Sequence, residues 1–296
     1  MSSATRPLDT VAIAAMVVLC LSWGLNQVAI KLAVVDIPPL TQAAIRSLGA
    51  LAIVGVWAKA RGIALLERDG TLGPGLLVGV LFGIEFIFIY CGMTLTLASR
   101  AIVFLYTAPF FVALGARWLR ERLNVLQWCG LALSFMGIAV AMGVPQPSVD
   151  AKVIIGDAML IAAGAFWAAT TLVIKGTRLS VVSPEKALVW QIGISAPIFI
   201  LGAWLLGEQL FAMPRPAALG WLAYQTVWVV GITYPVWFAL VKRYSASRLS
   251  AFSFLAPLFG VALGYLLIGE PVTPIFAVAV AMVVAGLLLV NRPRVR

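Results

Sequence analysis

The feature that most constrains this chain is a succession of ten apolar stretches, each the length of a bilayer crossing, parted only by short charged or Pro/Gly-containing breaks. A membrane-spanning helix needs about 20 apolar residues. The breaks predict helices near 9–33, 40–59, 74–96, 100–119 and 124–142, then near 154–175, 185–206, 216–240, 246–268 and 273–290. Hydrophobic residues make up 62% of the 296 and charged residues 11%, against roughly 45–50% and 25% in a soluble domain. No soluble core hides that much apolar surface, so the chain is expected to be nearly all membrane. The first run, Val11 to Ala33, is too long for a signal-peptide core and lacks a small-residue cleavage site after it, so it reads as the first helix.

The formal charge of +10 would suggest a nucleic-acid partner if the cations formed one patch, but they sit at helix ends. With the N-terminus inside, sixteen Lys and Arg fall in the even-numbered loops and the two tails, four fall in the odd-numbered loops, and Arg46 lies within a helix. This asymmetry predicts that both termini are cytoplasmic and that the protein is a multi-pass inner (plasma) membrane protein of bacterial type, with lipid and no nucleic acid as its surroundings. The basic clusters Lys59/Arg61/Arg68, Arg117/Arg120/Arg122, Lys175/Arg178/Lys186, Lys242/Arg243/Arg248 and Arg292/Arg294/Arg296 read as topological anchors. Cys20, Cys91 and Cys129 lie in apolar runs without ligand spacing and read as small core residues.

Residues 98–111 (ASRAIVFLYTAPFF) align with 246–259 (ASRLSAFSFLAPLF), with seven identities that include Ser99, Arg100, Ala108 and Pro109. The same register pairs Gly83-Ile84 with Gly231-Ile232 and Phe86 with Tyr234. SWGLNQVAIK at 22–31 aligns with FWAATTLVIK at 166–175, matching Trp23 with Trp167, Asn26 with Thr170, Gln27 with Thr171 and Lys31 with Lys175. The repeat unit is five helices, 1–145 and 151–296, joined at Gly143 to Asp150. Because five is odd, the second copy enters from the opposite face. The expected fold is thus all-α, ten transmembrane helices as two inverted five-helix repeats. That architecture is used by secondary transporters, although a duplication kept only for packing would leave the same trace.

The five-plus-five arrangement, the short loops, the paired Ser-Arg and Ala-Pro segments and a glutamate closing the fourth and ninth helices (Glu121, Glu270) resemble the EamA-type drug/metabolite transporters. The resemblance spans essentially the whole chain. Its size and its ten tryptophans look most like the YddG-type exporters of aromatic amino acids and methyl viologen. The resemblance implies export of amino acids or hydrophobic cations, with nucleosides, other metabolites, drugs or flipped lipid as alternative cargo.

Only Arg46 and Glu85 carry charge well inside the expected helices, and intramembrane charges are functional hypotheses by default. At 1.5 Å per residue Arg46 lies roughly 10 Å from the outer surface and Glu85 roughly 16 Å from the inner one, depths at which a charge pair or a clamp for a zwitterion can form. A buried structural pair, or an Arg46 that snorkels outward, fits equally. Their counterparts Gln191 and Thr233 are neutral.

Trp23, Asn26 and Gln27 share a face of helix 1, mirrored by Trp167, Thr170 and Thr171 on helix 6. Phe86, Tyr90 and Thr94 form a stripe on helix 3. Tyr106 on helix 4 and Tyr224, Gln225, Trp228 and Tyr234 on helix 8 extend a candidate lining that suits an aromatic or cationic solute. Trp118, Trp128 and Trp221 fall where an interfacial belt would sit. Pro109 and Pro257 are candidate hinges, because each frees the carbonyl four residues before it. Gly79/Gly83 and Gly260/Gly264 suggest close helix packing. A phosphate-binding loop, a GxSxG motif and histidine are all missing, so no cofactor, metal site or catalysis is expected and energy must come from a gradient. A membrane lipid enzyme or a purely structural scaffold are the readings from other classes. The chain could act as a monomer or as a homodimer through helices 5 and 10.

Overall fold

The computed structural model describes residues 8–65, 67, 69–143, 150–209 and 213–292. Most of the expected linker at 143–150, and Arg68, Arg294 and Arg296 of the basic clusters, lie outside those residues. All regular elements among the described residues are helical. They run α1 (Thr10–Ala33), α2 (Pro39–Ala60), α3 (Leu72–Leu95), α4 (Ala98–Leu105), α5 (Ala108–Gly115), α6 (Val125–Met142) and α7 (Ala151–Gly176). After a short 3-10 turn at Arg178–Ser180 come α8 (Pro184–Leu205), α9 (Pro216–Ala223), α10 (Tyr234–Arg243), α11 (Ala246–Phe252), α12 (Leu255–Ile268) and α13 (Ile275–Asn291).

Among the described residues eight segments are long and apolar enough to cross a membrane: α1, α2, α3, α6, α7, α8, Pro216–Arg243 and Ala246–Ile268. Two shorter apolar segments, Arg100–Gly115 and Ile275–Asn291, complete the set.

The helix ends are specified locally. Asp9, Asn124, Asp150 and Ser183 each accept a hydrogen bond from a backbone N–H in the first turn of α1, α6, α7 and α8, at 2.8, 2.9, 2.9 and 3.2 Å. The first turn of α2 begins at Pro38-Pro39 and has no such cap of its own. Glu208, distant in sequence, supplies it, accepting from Leu40 N at 3.0 Å, Thr41 N at 2.7 Å and Thr41 Oγ1 at 2.8 Å. A carboxylate on three donors at a helix N-terminus is well placed for the helix dipole, and it ties the loop after α8 to the helix that carries Arg46.

Three elements differ from the sequence expectation. The expected fourth helix is cut at Tyr106-Thr107 into α4 and α5 and turns from Ala116 onward, and the ninth is cut at Ser253-Phe254 into α11 and α12. Each cut lies just before a proline, which cannot donate to the preceding turn. Between α9 and α10 the chain is π-helical over Tyr224–Thr233, where a continuous α-helix was expected; Pro235, just past its end, cannot donate to the carbonyl of Gly231.

Glycine governs the closest contacts between helices. A Cβ at Gly24 of α1 would lie 2.8 Å from Ala256 O, at the start of α12. At Gly164 of α7 it would lie 2.8 Å from Leu105 O, at the cut between α4 and α5. Gly79 and Gly83 of α3 face Ile194 and Ile198 of α8, so that GxxxG pair packs within the chain. Gly260 faces Gln27, and α6 packs along α13, with Gln127 Nε2 donating to Val290 O at 3.0 Å. The mutually packed faces of those two helices are therefore not free for a second copy. Cys20 is buried as expected, whereas Cys129 is exposed on the outer face of α6 and is no core residue.

Candidate functional site

Arg46 of α2 lies against Phe86 of α3. It is 1% exposed, so it does not snorkel, and its guanidinium carbon lies 4.5 Å from the centre of the Phe86 ring. Such a cation–π contact in a desolvated place is worth about 2 kcal/mol, far less than burying the charge costs. Glu85, one residue from Phe86, is 6% exposed. Arg46 and Glu85 do not close into an ion pair, contrary to the pairing that their depths allowed. Arg46 Nε and Nη2 and Glu85 Oε2 have no hydrogen-bond partner. They are nonetheless near enough for the guanidinium to act electrostatically on Glu85, Tyr90 and Tyr234.

Aromatic rings enclose this charge. Phe82 and Phe86 lie 4.7 Å apart, Phe86 and Tyr90 6.0 Å, Phe86 and Phe199 5.8 Å, and Phe82 and Tyr234 6.1 Å at 86°. The stripe read on helix 3 is real as far as Tyr90 but starts one turn earlier, at Phe82. It ends before Thr94, which is exposed and donates to Cys91 O. Phe82 stands four residues before Phe86, a spacing that could have revealed it; Phe199 of α8 left no comparable signal.

A second group adjoins the first. The indole of Trp23 donates to Thr233 Oγ1 at 3.0 Å and its ring stands edge-on to Trp237 at 5.7 Å. One turn further along α1, Gln27 donates to the Tyr106 hydroxyl at 3.4 Å, and Tyr106 meets Trp167 at 6.0 Å and 90°. Tyr234 packs against both groups of buried residues. Asn26 Oδ1, Thr170 Oγ1 and Gln191 Oε1 are further buried polar atoms without a partner. Each such atom left without a partner costs about 1–3 kcal/mol.

Two candidates stand apart. Trp228 is 40% exposed with its indole N–H committed to Ser22 Oγ at 2.9 Å. Tyr224 donates to Ser22 O at 2.9 Å, fastening the same segment to α1. Gln225, also π-helical, donates to Gln42 Oε1 at 3.0 Å within the buried interior. Trp118 is 88% exposed, whereas Trp128 is half-buried and stacked on Phe110. Pro109 and Pro257 are both buried, each near the start of the second half of its cut helix.

Among the described residues no group of His, Cys, Asp and Glu could hold a metal ion. The profile of the EamA-like transporter family matches residues 10–143 and again 154–292. A "Probable amino-acid metabolite efflux pump" of Salmonella typhimurium is 31% identical over 283 residues, covering 90% of both chains. The protein of the same description in Escherichia coli is 29% identical over 286 residues, again with 90% of each covered. A solved crystal structure at 20% identity superposes with a TM-score of 0.80 over 95% of this chain and 96% of the other, a likeness of fold. With a buried polar centre in an apolar helical body matched throughout its length, the chain is a multi-pass inner membrane transporter and belongs to the EamA-like transporter family.

Proposed function

We propose that this transporter exports amino acids, aromatic ones among them, by alternating access about the Arg46 centre. The observation that carries the reading is Arg46 itself: a buried guanidinium with unsatisfied donors, a carboxylate with a free oxygen beside it, and an aromatic enclosure of Phe82, Phe86, Tyr90, Phe199 and Tyr234. A zwitterion meets those needs. Its carboxylate accepts from Arg46, its ammonium donates to Glu85, and an apolar or aromatic side chain lies on the rings. Trp23, Asn26, Gln27, Tyr106, Trp167 and Thr170 line the continuation of the path. The names of the Salmonella and Escherichia relatives agree with an amino-acid cargo.

Alternating access rests on the repeat. In this reading the eight long segments and the two short ones are ten crossings in two inverted halves, 1–145 and 151–296, with both termini cytoplasmic. Residues that the repeat aligns make like contacts at opposite ends. Lys31 ion-pairs with Glu270, and Lys175 with Glu121. α1 crosses closely at the cut of α11/α12, and α7 at the cut of α4/α5. Pro109 and Pro257 serve as the matched hinges. The Lys31–Glu270 side chains are 61% and 40% exposed, the Lys175–Glu121 side chains 9% and 7%. Similar halves held in unlike states are what one packing of two available packings leaves behind.

Calorimetric titration of the purified protein with phenylalanine, phenethylamine and 3-phenylpropionate tests the centre. The zwitterion should bind more than tenfold tighter than either compound lacking one charge, since a hydrogen bond to a charged group contributes about 1.5–3 kcal/mol. Equal binding of all three would remove the clamp.

A further inference from the structure

The π-helical segment Tyr224–Thr233 is tied to two helices at once. Tyr224 and Trp228, four residues apart, both donate to Ser22 of α1, the phenol to its carbonyl and the indole to its hydroxyl, each at 2.9 Å. Gln225, between them in sequence, reaches α2 instead: its Nε2 donates to Gln42 Oε1 at 3.0 Å. Gln42 Nε2 is in turn spent on Ile37 O at 2.8 Å. Both glutamines are 1% exposed, and Gln225 Oε1 is left buried without a partner.

That oxygen lies beside the transport centre. Gln42, Arg46 and Gly49 stand at i, i+4 and i+7 of α2 and share one face of it. The π-helical segment meets this face on both sides of Arg46: Gln225 bonds Gln42, and a Cβ at Gly49 would lie 2.7 Å from Thr226 Cγ2. Arg46, between them, keeps Nε and Nη2 unsatisfied. A vacant acceptor is thus held at the residue one turn from vacant donors, a spacing of about 5–6 Å between side-chain origins. π-helical turns are rare and frequently lie at functional sites.

We propose that Gln225 is a specificity-determining residue of the transport centre: its Oε1 accepts a hydrogen bond from the substrate's side chain, and so favours an amino acid whose ring carries an N–H over one of the same shape without it. The inference rests on the reading of Arg46 as the carboxylate site. With the carboxylate on Arg46 and the ammonium on Glu85, the side chain is the part of the ligand left to reach Gln225. A hydrocarbon ring placed there leaves the buried oxygen without a donor, whereas an indole N–H satisfies it. The bonds of Tyr224 and Trp228 to Ser22 keep the segment from turning to relieve that oxygen in another way.

Calorimetric titration of the purified full chain with tryptophan and with 3-(benzothiophen-3-yl)alanine, in which sulfur replaces the ring N–H, tests the assignment. Tryptophan should bind about threefold to tenfold tighter, the worth of one neutral hydrogen bond. In Gln225→Leu, which removes the acceptor, the two ligands should bind alike. The comparison in the parent protein decides on its own, without any variant. Equal binding of both ligands by the parent, with both lost in Arg46→Gln, would overturn the role of Gln225 and leave the Arg46 centre standing. A preference for tryptophan that persists in Gln225→Leu would also overturn it, by placing the acceptor elsewhere. Binding of neither ligand, or full binding of both by the Arg46→Gln protein, would overturn the Gln225 assignment together with the reading it rests on.

Discussion

Lys175 Nζ lies 2.9 Å from Glu121 Oε1 with both side chains almost wholly covered, and the same ammonium also donates to Val241 O at 2.9 Å and to Tyr244 O. One cation therefore joins the end of α7 to the turn after α5 and to the end of α10. The aligned pair, Lys31 and Glu270, stands at the surface with no such additional bonds. Depth decides what each is worth. Removing one partner of a buried pair costs about 3–5 kcal/mol, whereas an exposed pair contributes about 0–1 kcal/mol. Glu121→Gln should lower the melting temperature of the purified protein clearly and Glu270→Gln hardly at all. Equal effects would mean that the two ends are equally closed.

Arg46 offers the opposite case, a buried charge that no carboxylate balances within ion-pairing distance. Arg46→Gln should reduce transport by about tenfold or more through the lost charged hydrogen bond. It should leave stability unchanged or raise it, since an uncompensated buried charge is removed. A variant that loses stability and transport in parallel would make Arg46 a structural residue.

Two glycines separate packing from backbone effects. A Cβ on Gly24 would come within 2.7 Å of Phe259 Cβ and 2.8 Å of Gly260 N, so Gly24→Ala must push α1 off α12, at about 1–3 kcal/mol. Gly55, in the interior of α2, has nothing within 4 Å of the same position, so Gly55→Ala should stabilise by about 0.5–1 kcal/mol. Thermal unfolding of the two variants in one detergent measures the contrast, and shifts of the same sign would refute it.

At Pro109 and Pro257 the cut begins before the proline itself, at Tyr106 and Ser253, so the proline starts the second half-helix and leaves the first without a donor. Pro109→Ala should slow transport while preserving amino-acid binding, because it permits a continuous helix that resists rocking. Binding by calorimetry and uptake by vesicles separate these effects; loss of binding along with uptake would place Pro109 in the binding site instead of a hinge.

Asp69, in the turn before α3, bonds Lys186 Nζ at 2.7 Å and Thr71 Oγ1 at 2.6 Å. Lys186 and then Thr71 hold its carboxyl well below the usual carboxylate range. A depressed folded value means that its stabilisation is complete above the unfolded carboxylate pKa of about 4 and is lost only as pH falls through the lower folded value. The Asp69→Asn protein should therefore melt below the parent by a constant margin between about pH 6 and pH 8. A margin that shrank across that window would show that Asp69 titrates there.

Much of the fold was legible because length and hydropathy act directly on a membrane chain: α1, α2, α3, α7 and α8 begin and end within three residues of where charges and prolines place them. The cuts at Tyr106 and Ser253 were foreshadowed by the aligned prolines. The π-helical Tyr224–Thr233 segment was not, although Gly231 and Pro235 stand at its end; Tyr224, Gln225 and Trp228 within it are bound to Ser22 and Gln42, partners that only the packed structure brings there. Charge rarity alone picked out Arg46 and Glu85. Their failure to pair could not be read from depth, because depth says nothing of rotation about the helix axis. Phe199 and Trp237 stayed hidden among many aromatic residues until packing brought them to Phe86 and Trp23.

The central claim is that the Arg46 centre carries amino acids across the membrane, and its most direct measurement is uptake of labelled phenylalanine into liposomes containing the purified protein, beside empty liposomes and liposomes with Arg46→Gln. The account predicts saturable uptake, competed by unlabelled amino acid and largely absent from the variant and the empty vesicles. Uptake no greater than in empty liposomes, or full uptake by the Arg46→Gln protein, would contradict it.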